Sequence, residues 1–232
     1  MSKLPLVLIP GLLCTAKLWA PQVTALSDVA ECQIGDHTRH NTISGIARSI
    51  LGNAPDRFAL AGLSMGGYIS FEIMRQAPER VEKLALLDTS ALSDTDEKRH
   101  GRLALIDQAN SAFESFLHSF WLHQMLAPEK RGDDDLNEEI LSMARETGVE
   151  TYVRQQQAIV SRPDSRATCE QINCPVMIVV GALDEATPVA RHEEIHAITP
   201  NSELAVIKGC GHLSTIEAPM EVNALLREWL TC

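Results

Sequence analysis

A serine hydroxyl is a weak nucleophile at neutral pH until a base takes its proton and a carboxylate holds that base in the right tautomer. The sequence of 232 residues offers all three groups, each just after an apolar run. Ser64 lies in Gly62-Leu63-Ser64-Met65-Gly66, between the run that starts at Phe58 and a helical pattern that reaches Ile73. Strand, sharp turn and helix around G-x-S-x-G form the arrangement in which a strained backbone lifts the serine clear of the sheet edge. Gly62 and Gly66 remove side chains that would strike the neighbouring strand or helix, and Gly67 lets the helix start close to the sheet. A Gly-rich turn whose serine only caps a helix would show the same five residues, so the nucleophile assignment depends on partners. His212, in Gly209-Cys210-Gly211-His212, is the one of eight histidines in a Gly-flanked loop behind a late strand, which makes it the base. Asp184 follows PVMIVVG directly and is the acid; Asp88, closing the run VEKLALLD, is its rival. His37 and His40 read as polar loop residues, and Cys14 and Cys210 as small packing residues near the site.

Groups so far apart in sequence meet only if the fold brings several strand ends to one edge. PLVLIP (Pro5 to Pro10) is a short apolar run of the kind buried on both faces, and Val29 to Ile34 is a weaker strand. Ile43, Ile46, Ala47, Ile50 and Leu51 follow amphipathic helical spacing, with Asn41 or Thr42 as cap and Pro55 and Asp56 as the stop. The Ser64 strand and helix follow, then a strand over Val81 to Asp88. This alternation predicts a parallel sheet with helices on both faces, whose strands share a carboxyl edge. Pro175 to Gly181 and Leu204 to Ile207 continue the sheet, and Val222, Leu225, Leu226, Trp229 and Leu230 make a closing helix.

Between Thr89 and Asn173 no strand pattern appears, although a crossover needs only about a dozen residues. The excess reads as an insertion of three or four helices. Phe113, Phe116, Leu117, Phe120 and Trp121 fall on one helical face, and Leu136, Ile140, Met143 and Ala144 on another, with Asp135 and Glu138 at capping-box spacing. The run Asp133 to Asp135 suits a helix start better than a metal site.

Composition narrows the partners. With 45% apolar residues the chain can bury a substantial core, and a formal charge of −11 repels nucleic acid and anionic membrane. The early apolar stretch, Leu4 to Leu13, is interrupted by Pro5 and Pro10 and fits neither a signal peptide nor a membrane span, so a cytoplasmic protein is expected. Six cysteines without a C-x-x-C pair read as free thiols.

Taken together, PGLL ending at Leu13, GLSMGG, LLDTSA (Leu86 to Ala91), GALDEATP around Asp184 and GCGHLSTIEAP around His212 resemble an α/β-hydrolase of the esterase and lactonase type with a helical cap, over nearly the whole chain. The resemblance implies the triad order Ser64, Asp184, His212, an acyl-enzyme intermediate, and an oxyanion hole from the backbone N–H groups of Leu12 and Met65. It implies a core of residues 1–92 and 166–232 and a cap of 93–165. The family's usual N-terminal hairpin is missing, which leaves about six strands, and Pro10 stands where many members have a histidine. In the family Asp88's position sometimes supplies the acid. Dehalogenases and epoxide hydrolases of this fold use an aspartate at the elbow, so Ser64 speaks against both. Carboxylic esters are the expected substrates, with thioesters, lactones, C–C bonds and perhydrolysis as chemistry open to the same triad. An apolar small-molecule pocket is expected from Leu13, Phe113, Phe116 and Phe120. No cofactor or metal is expected. The alternative is a small-molecule receptor on the same scaffold with little turnover.

Overall fold

The apolar runs become the strands of one sheet. In the computed structural model, which describes residues 3–232, β1 (Leu4–Ile9), β2 (Ala30–Ile34), β3 (Phe58–Leu63), β4 (Val81–Leu87), β5 (Val176–Gly181) and β6 (Ser202–Ile207) line up in the order β2-β1-β3-β4-β5-β6. Every neighbouring pair is parallel. Every residue of β3 and β5 is buried, as expected of strands covered on both faces, while the edge strand β6 keeps several residues partly or fully exposed. This is the six-stranded α/β-hydrolase sheet expected from the sequence.

Helices close both faces. On one side α2 (Ile43–Leu51) packs against α3 (Met65–Gln76); on the other α1 (Ala20–Ala25) packs against the closing helix Pro219–Thr231. Thr42 caps α2 by accepting the Gly45 N–H at 3.1 Å, and Ile43, Ile46, Ala47 and Ile50 are its buried face. Each fully buried Leu, Ile or Phe contributes roughly 1.5–3 kcal/mol. Leu6, Leu8, Ile9, Phe58 and Leu60 of the sheet and Phe71 of α3 supply this, each fully buried.

Between β4 and β5 the chain forms four helical rods. The first is α4 (Asp96–Ser111); the second joins α5 (Phe113–Phe116) to α6 (Leu122–Met125) through a π-helical segment, Leu117–Trp121. Then come α7 (Asp134–Thr147) and α8 (Val149–Val160), before the short α9 (Arg166–Cys169) leads to β5. The cap of α7 differs from the sequence expectation. Asp133, not Asp135, accepts the Leu136 N–H at 3.0 Å, because the acidic run enters the helix one residue after it begins. After β5 follow α10 (Val189–Ile198), and after β6 the one-turn α11 (Ser214–Glu217) and α12 (Pro219–Thr231). Among the described residues no helix is long and apolar enough to cross a membrane.

Close approach at the strand ends leaves no room for side chains. A Cβ on Gly66 would lie 2.2 Å from the Ile9 carbonyl oxygen, whereas one on Gly101, inside α4, would meet nothing within 4 Å. Gly66→Ala is therefore expected to cost at least about 1–3 kcal/mol, because backbone rather than a flexible side chain must move. Gly101→Ala is expected to gain roughly 0.5–1 kcal/mol from helix propensity. Urea unfolding of the two variants beside the parent checks both signs.

Candidate active site

Ser64 occupies the turn between β3 and α3 with φ 54° and ψ −111°, a backbone conformation strained for any residue with a side chain. The turn is held from several directions. The Ser64 N–H donates to the Leu87 carbonyl at 2.9 Å, and the Thr89 hydroxyl donates to the Ser64 carbonyl at 2.8 Å. Thr89 is itself fixed, because its N–H donates to Nε2 of the buried His192 at 2.7 Å. Burial lowers the His192 pKa to about 4, so this imidazole stays neutral and can accept.

His212 and Asp184 meet Ser64 at the same sheet edge. His212 Nε2 lies 2.9 Å from Ser64 Oγ and Nδ1 lies 2.8 Å from Asp184 Oδ2. With Nδ1–H donated to the carboxylate, Nε2 is left to accept from the serine. Asp184 also accepts from Ala186 N–H and Thr187 N–H, both at 2.8 Å, and from the Thr187 hydroxyl at 2.7 Å. Burial would raise the Asp184 pKa, but the His212 charge and these donors outweigh it and hold the carboxyl below its ordinary value. Burial likewise opposes a charge on His212; the Asp184 carboxylate overcomes this and lifts the imidazole pKa above its ordinary 6.5.

Asp88 is close by yet differently employed. It is fully buried and accepts the N–H groups of Gly181 at 3.0 Å and Ser214 at 3.2 Å, tying the end of β5 to the residues after His212. Burial and the neighbouring Asp184 charge push its pKa up to about 8. The acid in hydrogen-bond contact with His212 is Asp184.

The loop after β1 carries Leu12, whose backbone N–H was expected to face a reacting oxygen. Among the described residues neither the Leu12 nor the Met65 N–H donates to a protein acceptor, and Met65 begins α3, where amide groups are left open. Two residues brace this loop. His37 is buried rather than a polar loop residue, and its Nε2 lies 2.9 Å from the Gly11 carbonyl. Its pKa is lowered by burial, so the ring is neutral and donates there. Gln155, from α8, accepts the Leu13 N–H at 3.1 Å, where Leu13 has φ 57°. His40 is exposed. Cys14 and Cys210 are buried and their thiols are pushed upward by burial, Cys14 to about 12, so both stay protonated.

Glu217 fixes the His212 loop. Its Oε2 accepts the N–H groups of Gly211 and Ala127, and Oε1 accepts that of Leu213, each at 3.0 Å. The two residues flanking His212 are thus held by one carboxylate that also grips the chain after α6. His212 N–H donates to the Met125 carbonyl at 3.2 Å, which joins the same two segments again.

A cavity of about 580 Å³ opens over Ser64 and His212. Its walls include Leu12, Tyr68, Leu105, Phe120, Trp121, Met125 and Ile159, with Lys98, Arg102, Gln124, Glu185 and Thr187 as polar members. Of the pocket residues expected from sequence, Phe120 lines it. Phe116 does not: it is buried against Tyr152 at 5.2 Å and Phe120 at 5.6 Å between ring centroids. Phe113 stacks on Phe116 outside the cavity, and Leu13 is buried without lining it. The π-helical turn widens the helix between Phe116 and Leu122, which breaks the simple spacing and brings Phe120 and Trp121 to the cavity together. Thr187, Glu217, Gln155 and His192 were not singled out from the sequence; of these only Thr187, one residue past the Asx turn that Asp184 makes with Ala186, leaves a local signal.

Glu217→Gln replaces one accepting oxygen by a donor and strands at least one buried N–H beside His212. The expected outcome is a fall in kcat of roughly 10²-fold with little change in KM, because His212 shifts while the cavity wall stays. Steady-state kinetics on the folded variant, with circular dichroism as the control, checks this.

Comparison with known proteins agrees with the fold. The sequence profile of the α/β hydrolase fold matches residues 50–219. The chain is 23% identical over 209 residues to a pimeloyl-[acyl-carrier protein] methyl ester esterase of Aromatoleum aromaticum, covering 84% of this chain and 82% of that protein. A thermophilic esterase from Thermogutta terrifontis superposes with a TM-score of 0.90 at 26% identity, over 99% of this chain and 90% of that one. The enol-lactonase from Burkholderia xenovorans LB400 shares the fold with a TM-score of 0.89 at 22% identity, over 100% of this chain and 93% of that one. A strained serine between strand and helix, a parallel six-stranded sheet and a profile match over most of the length lead to one conclusion: the chain belongs to the α/β-hydrolase fold family of enzymes.

Proposed function

We propose that the protein is a serine hydrolase that cleaves a carboxylic ester, or a related acyl compound, of a small molecule through an acyl-enzyme intermediate. The observation that carries this reading is the unbroken hydrogen-bonded chain Ser64 Oγ, His212 Nε2, His212 Nδ1, Asp184 Oδ2, with spacings of 2.9 and 2.8 Å, at the floor of the cavity. In this reading Ser64 Oγ attacks the acyl carbon as its proton passes to His212 Nε2. Asp184 stabilises the imidazolium and itself stays ionised. The Leu12 and Met65 N–H groups receive the charge that develops on the carbonyl oxygen, each worth on the order of 10²–10³ in rate. His212 then returns the proton to the leaving alcohol, and a water activated by the same imidazole releases the acid from Ser64. Residues 93–165 act as a cap that shapes the substrate site. The same chemistry would serve a thioester or a lactone, and chain length in the acyl or alcohol part is discriminated by cavity residues such as Phe120 and Trp121.

Ser64→Ala is expected to lower turnover of activated esters by roughly 10⁶, as in a protease triad, and to abolish labelling by a fluorophosphonate. Activity above a few per cent in the purified variant would remove Ser64 from the role.

The acid and the pH profile can be tested together. His212 must be neutral to accept the proton, so kcat/KM should rise with pH through a pKa above the ordinary 6.5. Asp184→Asn removes the charge that raises it; kcat/KM should fall by about 10⁴ and any remaining acid limb should move down. Asp88 accepts only the Gly181 and Ser214 N–H groups and makes no hydrogen bond to His212, so Asp88→Asn should change the rate far less. Equal losses in the two variants would reverse the assignment.

A further inference from the structure

The cavity has a charge opposite to that of the protein around it. One face of α4 supplies Lys98, Gly101, Arg102 and Leu105 to the wall, at the i, i+3, i+4, i+7 spacing of a single helical stripe. The basic pair is one turn apart at the N-terminal end of that stripe and Leu105 lies about one turn further on. Arg102 donates Nε–H to Asp94 at 2.6 Å and an Nη1 proton to Gln156 at 3.0 Å, which leaves its Nη2 group without a protein acceptor among the described residues. Asp94 cannot neutralise it alone, because its second oxygen accepts from Arg162 at 2.9 Å, so one buried carboxylate faces two guanidiniums. The Lys98 ammonium has no carboxylate within 4.0 Å among the described residues. Glu185, the acidic residue on the wall, is engaged by Arg131 at 3.2 Å. A chain of net charge −11 thus places surplus positive charge at the wall of its own cavity, which apolar Leu105, Phe120 and Ile159 also line.

We infer that the substrate of this site carries a second, anionic group: an ester whose acyl or alcohol part ends in a carboxylate, held by Lys98 and the free edge of Arg102 while the apolar wall covers the carbons between. The inference rests on the hydrolase reading of Ser64 and deepens it. Arg102 offers a fixed guanidinium and Lys98 a mobile point charge, a combination suited to a carboxylate that arrives at the end of a flexible chain. A cavity of about 580 Å³ is of the size that encloses a small molecule of this kind.

The test compares mono-4-nitrophenyl esters of dicarboxylic acids with 4-nitrophenyl alkanoates of equal length. The carboxylate series is expected to be preferred at one or two chain lengths, with a preference that shrinks as salt is raised. Lys98→Met should raise KM for that series about five-fold more than for the neutral series, the upper end for an exposed ion pair, and Lys98→Glu should raise it further. Neutral esters preferred at every length, with Lys98→Glu acting equally on both series, would overturn the inference while leaving the hydrolase reading intact. Calorimetry of free adipate and suberate with Ser64→Ala separates the two readings independently of turnover. Binding that Lys98→Glu abolishes supports the anion site even if no ester is cleaved, and no binding of either diacid together with no carboxylate preference sinks it.

Discussion

The backbone of Ser64 is the constraint on which the rest depends. A residue at φ 54° and ψ −111° costs of order 1–3 kcal/mol and persists only where its surroundings leave no alternative. Among the described residues, three of the four non-glycine residues with positive φ, Leu13, Ser64 and Asp88, stand just beyond the carboxyl ends of β1, β3 and β4, which are neighbours in the sheet. Strain is therefore concentrated along one edge. What sustains it is close packing: Gly62 lets the strand meet the Gly66 carbonyl, and Gly66 meets the Ile9 carbonyl, at separations that exclude any Cβ. Ordinary helix or strand geometry at Ser64 would withdraw the hydroxyl from His212, so the hydrogen-bonded chain and the packing of the sheet centre are one problem.

Two buried carboxyl groups beside one histidine are shifted in opposite directions, according to how neighbouring charge and donors stand against burial. Asp184 receives four hydrogen bonds, one of them from the imidazole, and remains a carboxylate. Asp88 receives two and is raised to about 8, in part by its neighbour's charge. With the Asp88 carboxyl raised by burial and by its neighbour, Asp184 is the one of the two that is bonded to His212 Nδ1.

Much of this was legible in the sequence because it is written locally. The six apolar runs, the glycines of the elbow and the Gly-flanked His212 each need only a few consecutive residues to be recognised. What was not legible depends on contacts between segments distant in the chain. His37 looks polar in a turn of polar residues, and only the folded sheet places Gly11 in front of it. Glu217 in STIEAP looks like a helix charge, yet its three donors come from two separate loops. Phe113 and Phe116 misled for another reason: helical spacing assumes a uniform turn, and a π-helical segment rotates everything after it.

The joins between the inserted helices and the sheet edge bear on how such proteins can be recombined. Leu13 with Gln155, His212 with Met125, and Glu217 with Ala127 tie the loops beside Ser64 and His212 to the helices between β4 and β5, each through at least one main-chain group. A helical segment borrowed from a relative and spliced in between β4 and β5 would bring its own cavity wall, but it would also have to present an acceptor for Leu13, a carbonyl for His212 and an amide for Glu217 at matching positions. Chimeras designed around these three anchor points, rather than around the splice sites alone, are the ones in which a transplanted specificity can arrive with a working reaction centre beneath it.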